Sequence, residues 1–130
     1  MSDRTMIVTG WILSGLYGAF TLLASVLPKL GGMAVAAETM ASLGWPEAPV
    51  LLIGALELIC VVLYLIPATA LLGGILTMAI LGGAMVTQMR AGTPLLSNQL
   101  FSIWLGLWLW IGLWLRDPRI RAVLPLMRQP

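Results

Sequence analysis

The sequence predicts an all-α, polytopic membrane protein: a four-transmembrane-helix antiparallel bundle with a short amphipathic helix between the first two spans. Three observations lead there. The chain of 130 residues is 60% hydrophobic and only 9% charged, against about 25% charge in an ordinary soluble domain. Its mean hydropathy is +1.00. Four apolar stretches approach the roughly 20 residues a helix needs to cross a bilayer, and charges gather at their ends. Residues 1–130 read as a single membrane domain.

The first span covers about residues 7–27, with Pro28 and Lys29 closing it. It is longer than the apolar core of a signal peptide, about 7–15 residues. The AxA-like site Ala34-Val35-Ala36 lies past Pro28 and a glycine pair, so the span reads as a retained anchor. An interfacial segment, about 31–45, follows. Its Met33, Ala36, Ala37, Met40 and Leu43 share one helix side, with Glu38 and Ser42 turned away, as in a helix lying at the membrane surface. Trp45 suits headgroup depth. The second span covers about 49–66 and the third about 68–89, which stops at Arg90. Between them Pro67 breaks the helix and Thr69 is placed to cap the next one. The fourth span, about 97–115, stops at Arg116-Asp117-Pro118 and leaves the tail 116–130.

Orientation follows from lysine and arginine counts in the short flanks. One side holds Arg4, Arg116, Arg119, Arg121 and Arg128; the other holds Lys29 and Arg90. Both termini are therefore expected in the cytoplasm. The same late arginines can touch anionic headgroups. In lipid, helices join by close approach of small residues rather than by apolar burial. Gly10, Ser14, Gly18, Thr21 and Ser25 form such a face on span one. Span three offers Ala70, Gly74, Thr77 and Ala84, and span four offers Gly106 and Gly112. These faces serve internal packing or a homodimer.

Several function classes fall away. A net charge of +2 without a basic stripe gives no purchase on nucleic acid. One cysteine, Cys60, excludes an internal disulfide and reads as a small buried hydrophobe. Histidine is absent, which removes the commonest metal ligand, and no metal site is expected.

What remains is Glu57, a carboxylate near the middle of span two. An acid at bilayer depth costs about 2.5–3.5 kcal/mol on insertion scales, so it should face the bundle interior. It stays neutral unless a cation or water reaches it. Tyr64 lies almost two turns on and points the same way. Thr77 matches its depth on span three, and Tyr17 or Ser14 can approach from span one. Gln88 and Arg90 end span three. Trp104 and Trp108 share a face of span four and could wall a flat, greasy ligand. The candidate ligand-binding residues are thus Glu57, Tyr64, Thr77, Tyr17, Gln88, Arg90, Trp104 and Trp108, with Glu57 the sole candidate catalytic acid. A structural role, tying helices together, is the competing account of Glu57.

The stretch ALELICVVLYLIPATALLGGILTMAILGGAMVTQMRAGTPL, followed by WLGLWLWIGLWLRDPRIRAVLP, resembles the DoxX-like family of small bacterial membrane proteins. The R-x-G-x-P-L exit of span three and the R-D-P-R ending carry the resemblance, which is weaker before Leu30. It implies a four-helix bundle in the bacterial inner membrane. The family acid falls on Glu57, the third-span glycines on Gly82 and Gly83, and the loop arginine on Arg90. Many relatives have a histidine where this chain has Gln88, which puts a proton-transfer or metal role there in doubt. Some relatives are subunits linked to thiosulfate–quinone oxidation, and the fold is similar to that of sterol isomerases. No cofactor is evident from the residues; the resemblance leaves room for a quinone, and for a second copy of the chain or a membrane enzyme as partner. The expected function is a non-catalytic or accessory protein holding a small lipophilic ligand around Glu57. The alternatives are an oxidoreductase subunit or isomerase acting on a quinone or isoprenoid-like substrate, and a scaffold for a membrane partner.

Overall fold

A computed structural model describes residues 2–127. Among these the chain is helical apart from short connections, with no strand. Helix α1, Asp3–Leu30, starts at Ser2, whose Oγ accepts from the Thr5 amide at 3.2 Å, with Asp3 in the first turn. Both features satisfy the free N–H groups at a helix start. The helix does not end at Pro28, where the sequence suggested closure, but continues through it to Leu30. Proline removes one backbone donor and crowds the preceding turn. Residues Leu22–Val26 widen into a π turn immediately before it, which accommodates the ring without breaking the helix. Lys29 therefore sits on the helix rather than beyond it.

Helix α2, Ala34–Ser42, is a short helix between the first two long apolar segments and buries no residue. Helix α3, Val50–Leu65, has 16 residues. At about 1.5 Å per residue it is roughly 24 Å long, short of a hydrocarbon core of about 30 Å. Helix α4, Pro67–Ala91, follows after Ile66, so α3 and α4 form a hairpin. Thr69 does not cap α4 with its side chain. Its hydroxyl instead donates back to the Leu63 carbonyl at 2.8 Å, closing an otherwise unpaired acceptor at the end of α3. Helix α5, Leu95–Arg116, starts earlier than expected, through a π turn at Leu95–Gln99. Helix α6, Pro118–Val123, is capped by Asp117, whose carboxylate accepts from the Arg119 amide at 2.9 Å.

Helices α1, α4 and α5 are long and apolar enough to cross a membrane, and α3 is a shorter apolar helix. The main packing is α1 on α5 and α3 on α4, with α4 also on α5. Small residues set the α1–α5 distance. A Cβ added to Gly10 would meet the Arg116 backbone, lying 2.8 Å from its Cα. Gly10, Ser14 and Gly18 of the expected face are all buried. Gly82 and Gly83 have nothing within 4 Å of such a Cβ, so in this chain they do not serve helix contact. The core gathers Tyr17, Tyr64, Ala70, Leu109, Leu113 and Ile120. Large apolar side chains cover the outside, Leu23 and Leu96 each at 68% exposure, as a lipid-facing surface requires.

Candidate functional site

Glu57 is the third residue after Gly54 on α3, on the same side of the helix. A Cβ on Gly54 would lie 2.8 Å from the Lys29 Cβ. The missing side chain lets the end of α1 lie against α3, and this brings Lys29 to the acid. Lys29 Nζ donates to Glu57 Oε1 at 3.0 Å and Oε2 at 3.2 Å. It also donates to Ser25 Oγ at 2.6 Å, and Ser25 Oγ in turn donates to Glu57 Oε2 at 2.7 Å. Ser25 and Lys29 stand four apart and so project together. The Lys29 and Glu57 side chains are 16% and 14% exposed. The acid therefore has a cation and a hydroxyl in a closed ring. Sequence reasoning looked for its partners among Ser14, Tyr17 and Thr77, because Lys29 was placed outside span one. The signal that was available is Ser25-x-x-x-Lys29 on α1 facing Gly54-x-x-Glu57 on α3.

This ion pair stands where two cavities meet. The inner one, about 190 Å³, is lined by Tyr17, Phe20, Ser25, Cys60, Thr77 and Phe101 among others, together with Glu57. The outer one, about 390 Å³, runs over Ala79, Ile80, Gly83, Ala84, Thr87 and Gln88 of α4. Those positions form one stripe, and small side chains hollow it. Thr39 and Met40 of α2, with Leu43 and Trp45, close its other side next to Lys29 and Glu57. Glu57 and Ile80 line both cavities.

The structure brings Tyr17 and Thr77 to the inner cavity and Gln88 to the outer one. The Thr77 hydroxyl donates within its own helix to the Gly73 carbonyl at 2.7 Å. Gln88 Oε1 is buried without a hydrogen-bond partner. Arg90 is exposed at the end of α4 and lines neither cavity. Trp104 is 49% exposed, its indole N–H donating to the Leu96 carbonyl at 3.1 Å. Trp108 supports the inner cavity from behind: its ring meets the edge of Tyr17 at 5.7 Å, and its N–H donates to the Leu13 carbonyl at 3.0 Å. Phe20 and Phe101, 6.4 Å apart edge to face, are walls that the sequence reading passed over. Phe20 lies three residues after Tyr17, which was the available clue.

Tyr64 belongs to a different polar centre, not to a strip shared with Glu57. It is fully buried. Its hydroxyl donates to the Leu109 carbonyl at 2.7 Å and shares a 3.0 Å hydrogen bond with Ser14 Oγ. Arg116, which the sequence assigned to the tail, is only 5% exposed. Its guanidinium lies over the rings of Trp11 at 4.3 Å and Tyr64 at 4.5 Å, and Nη2 donates to the Tyr64 carbonyl. Stacking between two aromatic faces stabilises a cation away from water. Beyond the spans, the Asp117 carboxyl is held below the ordinary aspartate range, chiefly by hydrogen bonds from the Arg119 side chain at 2.8 and 3.0 Å. Among the described residues, no three metal-binding side chains gather.

The model of the DoxX-like family matches residues 12–112 of the chain. The chain belongs to the DoxX-like family. No curated protein and no solved structure matches it. This DoxX-like protein is accordingly a small membrane protein, with Glu57 and both cavities inside the matched region.

Proposed function

We propose that this DoxX-like protein holds a small, neutral lipophilic molecule beside Glu57, as a non-catalytic or accessory component of the bacterial inner membrane. The observation that carries this reading is the Ser25–Lys29–Glu57 ring set in the shared wall of two apolar cavities. An ion pair has no net charge, so the site disfavours a charged ligand, which would have to break the pair to be compensated. An apolar cavity of about 150 Å³ already holds a benzene. The inner cavity thus has room for one ring, and the outer cavity falls in the ordinary size range of ligand sites. Glu57, Thr77, Tyr17 and Gln88 are the contacts of the proposal, with Lys29 and Ser25 added.

The aromatic walls of the inner cavity favour a second reading, an oxidoreductase subunit or isomerase that handles a quinone or isoprenoid-like molecule. Tyr17, Phe20 and Phe101 offer faces and edges to a flat ring. In either reading the helices form an antiparallel four-span bundle with both termini in the cytoplasm. The short helix α3 then crosses by local thinning of the bilayer around it. Arg128, part of the cytoplasmic charge excess, lies outside the described residues.

Native mass spectrometry of the protein released from lipid tests the reading. Wild type should carry a lipophilic molecule. Ala24 also lines the inner cavity, and Ala24→Phe, which narrows it, should lose the molecule while remaining folded. An empty wild-type protein, or equal retention by Ala24→Phe, would refute the proposal. Reporter fusions at the two termini test the orientation, and a terminus found outside the cytoplasm would refute it.

A further inference from the structure

The outer face of α5 carries a third apolar groove, unconnected with Glu57. Leu107, Ile111, Trp114 and Leu115 form its floor, and Leu124 and Pro125 fold back to make its end wall, enclosing about 430 Å³. Leu107 and Ile111 are each 50% exposed. The floor spans eight residue steps, roughly 12 Å along the helix. The fold-back is held by polar contacts: the Trp114 indole N–H donates to the Leu124 carbonyl at 3.0 Å. Arg121 Nη1 donates to the Trp114 and Leu115 carbonyls at 3.2 and 2.6 Å. Arg121 also lies over the Trp114 ring at 5.9 Å.

The end of this groove carries a net positive charge. Asp117 is the only acidic residue after Glu57, and Arg119 and Arg121 follow it within four positions, while Arg116 is turned into the bundle against Trp11 and Tyr64. Asp117 is engaged by Arg119, whose side chain is still 74% exposed. Both donors used by Arg121 come from Nη1, and a guanidinium has five N–H groups in all. The groove therefore joins a cationic rim to an apolar trough that runs away from it along a membrane helix.

We propose that this groove is a binding site for one anionic phospholipid. The phosphate sits at Arg119 and Arg121, and one acyl chain lies along Leu107, Ile111 and Trp114. A zwitterionic lipid would fill the trough equally but would bring no net charge to the rim. The exposed side chains of Leu126 and Met127, at 77% and 81%, enter the same interfacial layer beside it.

The test uses the full chain in nanodiscs holding equal amounts of phosphatidylglycerol and phosphatidylcholine with identical chains, with retained lipids weighed by native mass spectrometry. Wild type should keep phosphatidylglycerol in preference. Arg119→Gln and Arg121→Gln should each lower that preference about fivefold, the usual effect of one basic side chain at an anionic membrane surface. Arg121→Lys, which keeps the charge, should retain most of it, so a loss in Arg121→Gln is not mere loosening of the tail. Leu107→Trp, which fills the trough, should reduce retention of both lipids. Arg90→Gln, at the other end of α4, should change nothing. Equal retention of the two lipids by wild type would overturn the proposal. So would an effect of Arg90→Gln as large as that of Arg121→Gln, unchanged retention in Leu107→Trp, or a dimer that occludes this face.

Discussion

Removing the Lys29 side-chain charge with Lys29→Met should weaken the fold far more than an ordinary surface substitution. The two charges are 3.0 Å apart. At an effective dielectric of about 20 their attraction is about 5.5 kcal/mol. Part of that is cancelled by the cost of taking both groups out of water, and the side chains are only 16% and 14% exposed. What a single deletion exposes is the cost of the partner left behind. Breaking a largely buried pair from one side typically costs about 3–5 kcal/mol, whereas replacing both members by apolar groups is often nearly neutral. Ser25 continues to donate to Glu57, so the lower end, about 3 kcal/mol, is expected for Lys29→Met. The double variant Lys29→Met/Glu57→Leu should return to within about 1 kcal/mol of wild type. Equilibrium unfolding in mixed micelles across the four corners of this double-mutant cycle gives the coupling energy directly. A coupling below about 0.5 kcal/mol would refute the claim that this ion pair holds α1 to α3. The same variants bear on function: Glu57→Gln that stays folded yet loses the bound lipophile assigns the acid to ligand binding.

Other outcomes follow from the packing and the caps. Gly10→Ala pushes a Cβ into the Arg116 backbone and should cost about 1–3 kcal/mol. Gly15→Ala, with nothing within 4 Å, should be neutral or stabilising by up to about 1 kcal/mol; the same micelle unfolding measurement separates them, and equal effects would contradict the close approach. Tyr64→Phe deletes the hydroxyl bonded to Ser14 and Leu109 and should cost about 1–2 kcal/mol, seen as an earlier unfolding midpoint with the ring stacking on Arg116 retained. Asp117 supplies a pH dependence. Its folded value is lowered, so its contribution to the α6 cap is complete above the ordinary aspartate value of about 3.9 and is lost as pH falls through the lower folded value. Protection of the Arg119 to Val123 amides, relative to their intrinsic exchange rates, should fall in that acid window, and Asp117→Asn should remove this loss of protection with pH.

Helical content and membrane residence could be read from the chain because both follow from local composition. Twenty or so apolar residues in a row have few alternatives in lipid to closing their own backbone hydrogen bonds. The glycine and serine face of α1 was visible for the same reason, since helical spacing alone groups Gly10, Ser14 and Gly18. The site was legible only in part. Glu57 stood out because its surroundings are apolar, and Tyr17 and Thr77 came with it by depth, while Gln88 was named only as the end of span three. Its partner did not, because Pro28 signals a helix end in any local reading. Only a π turn, a property of the folded backbone, carries α1 past it.

Arg116 makes the same point from the other terminus. In sequence it opens a basic tail, and its place at a headgroup follows from charge alone. In the fold, Gly10 has no side chain to keep α5 away, and Trp11 and Tyr64 supply two ring faces at the resulting distance. The sequence by itself determined that this chain is a set of apolar helices with one acid set in an otherwise apolar run. Which cation answers that acid, and which arginine leaves the water, were decided by tertiary structure. Charge pairing acts over a few ångströms, and residues far apart in the chain reach that range only after helices have packed.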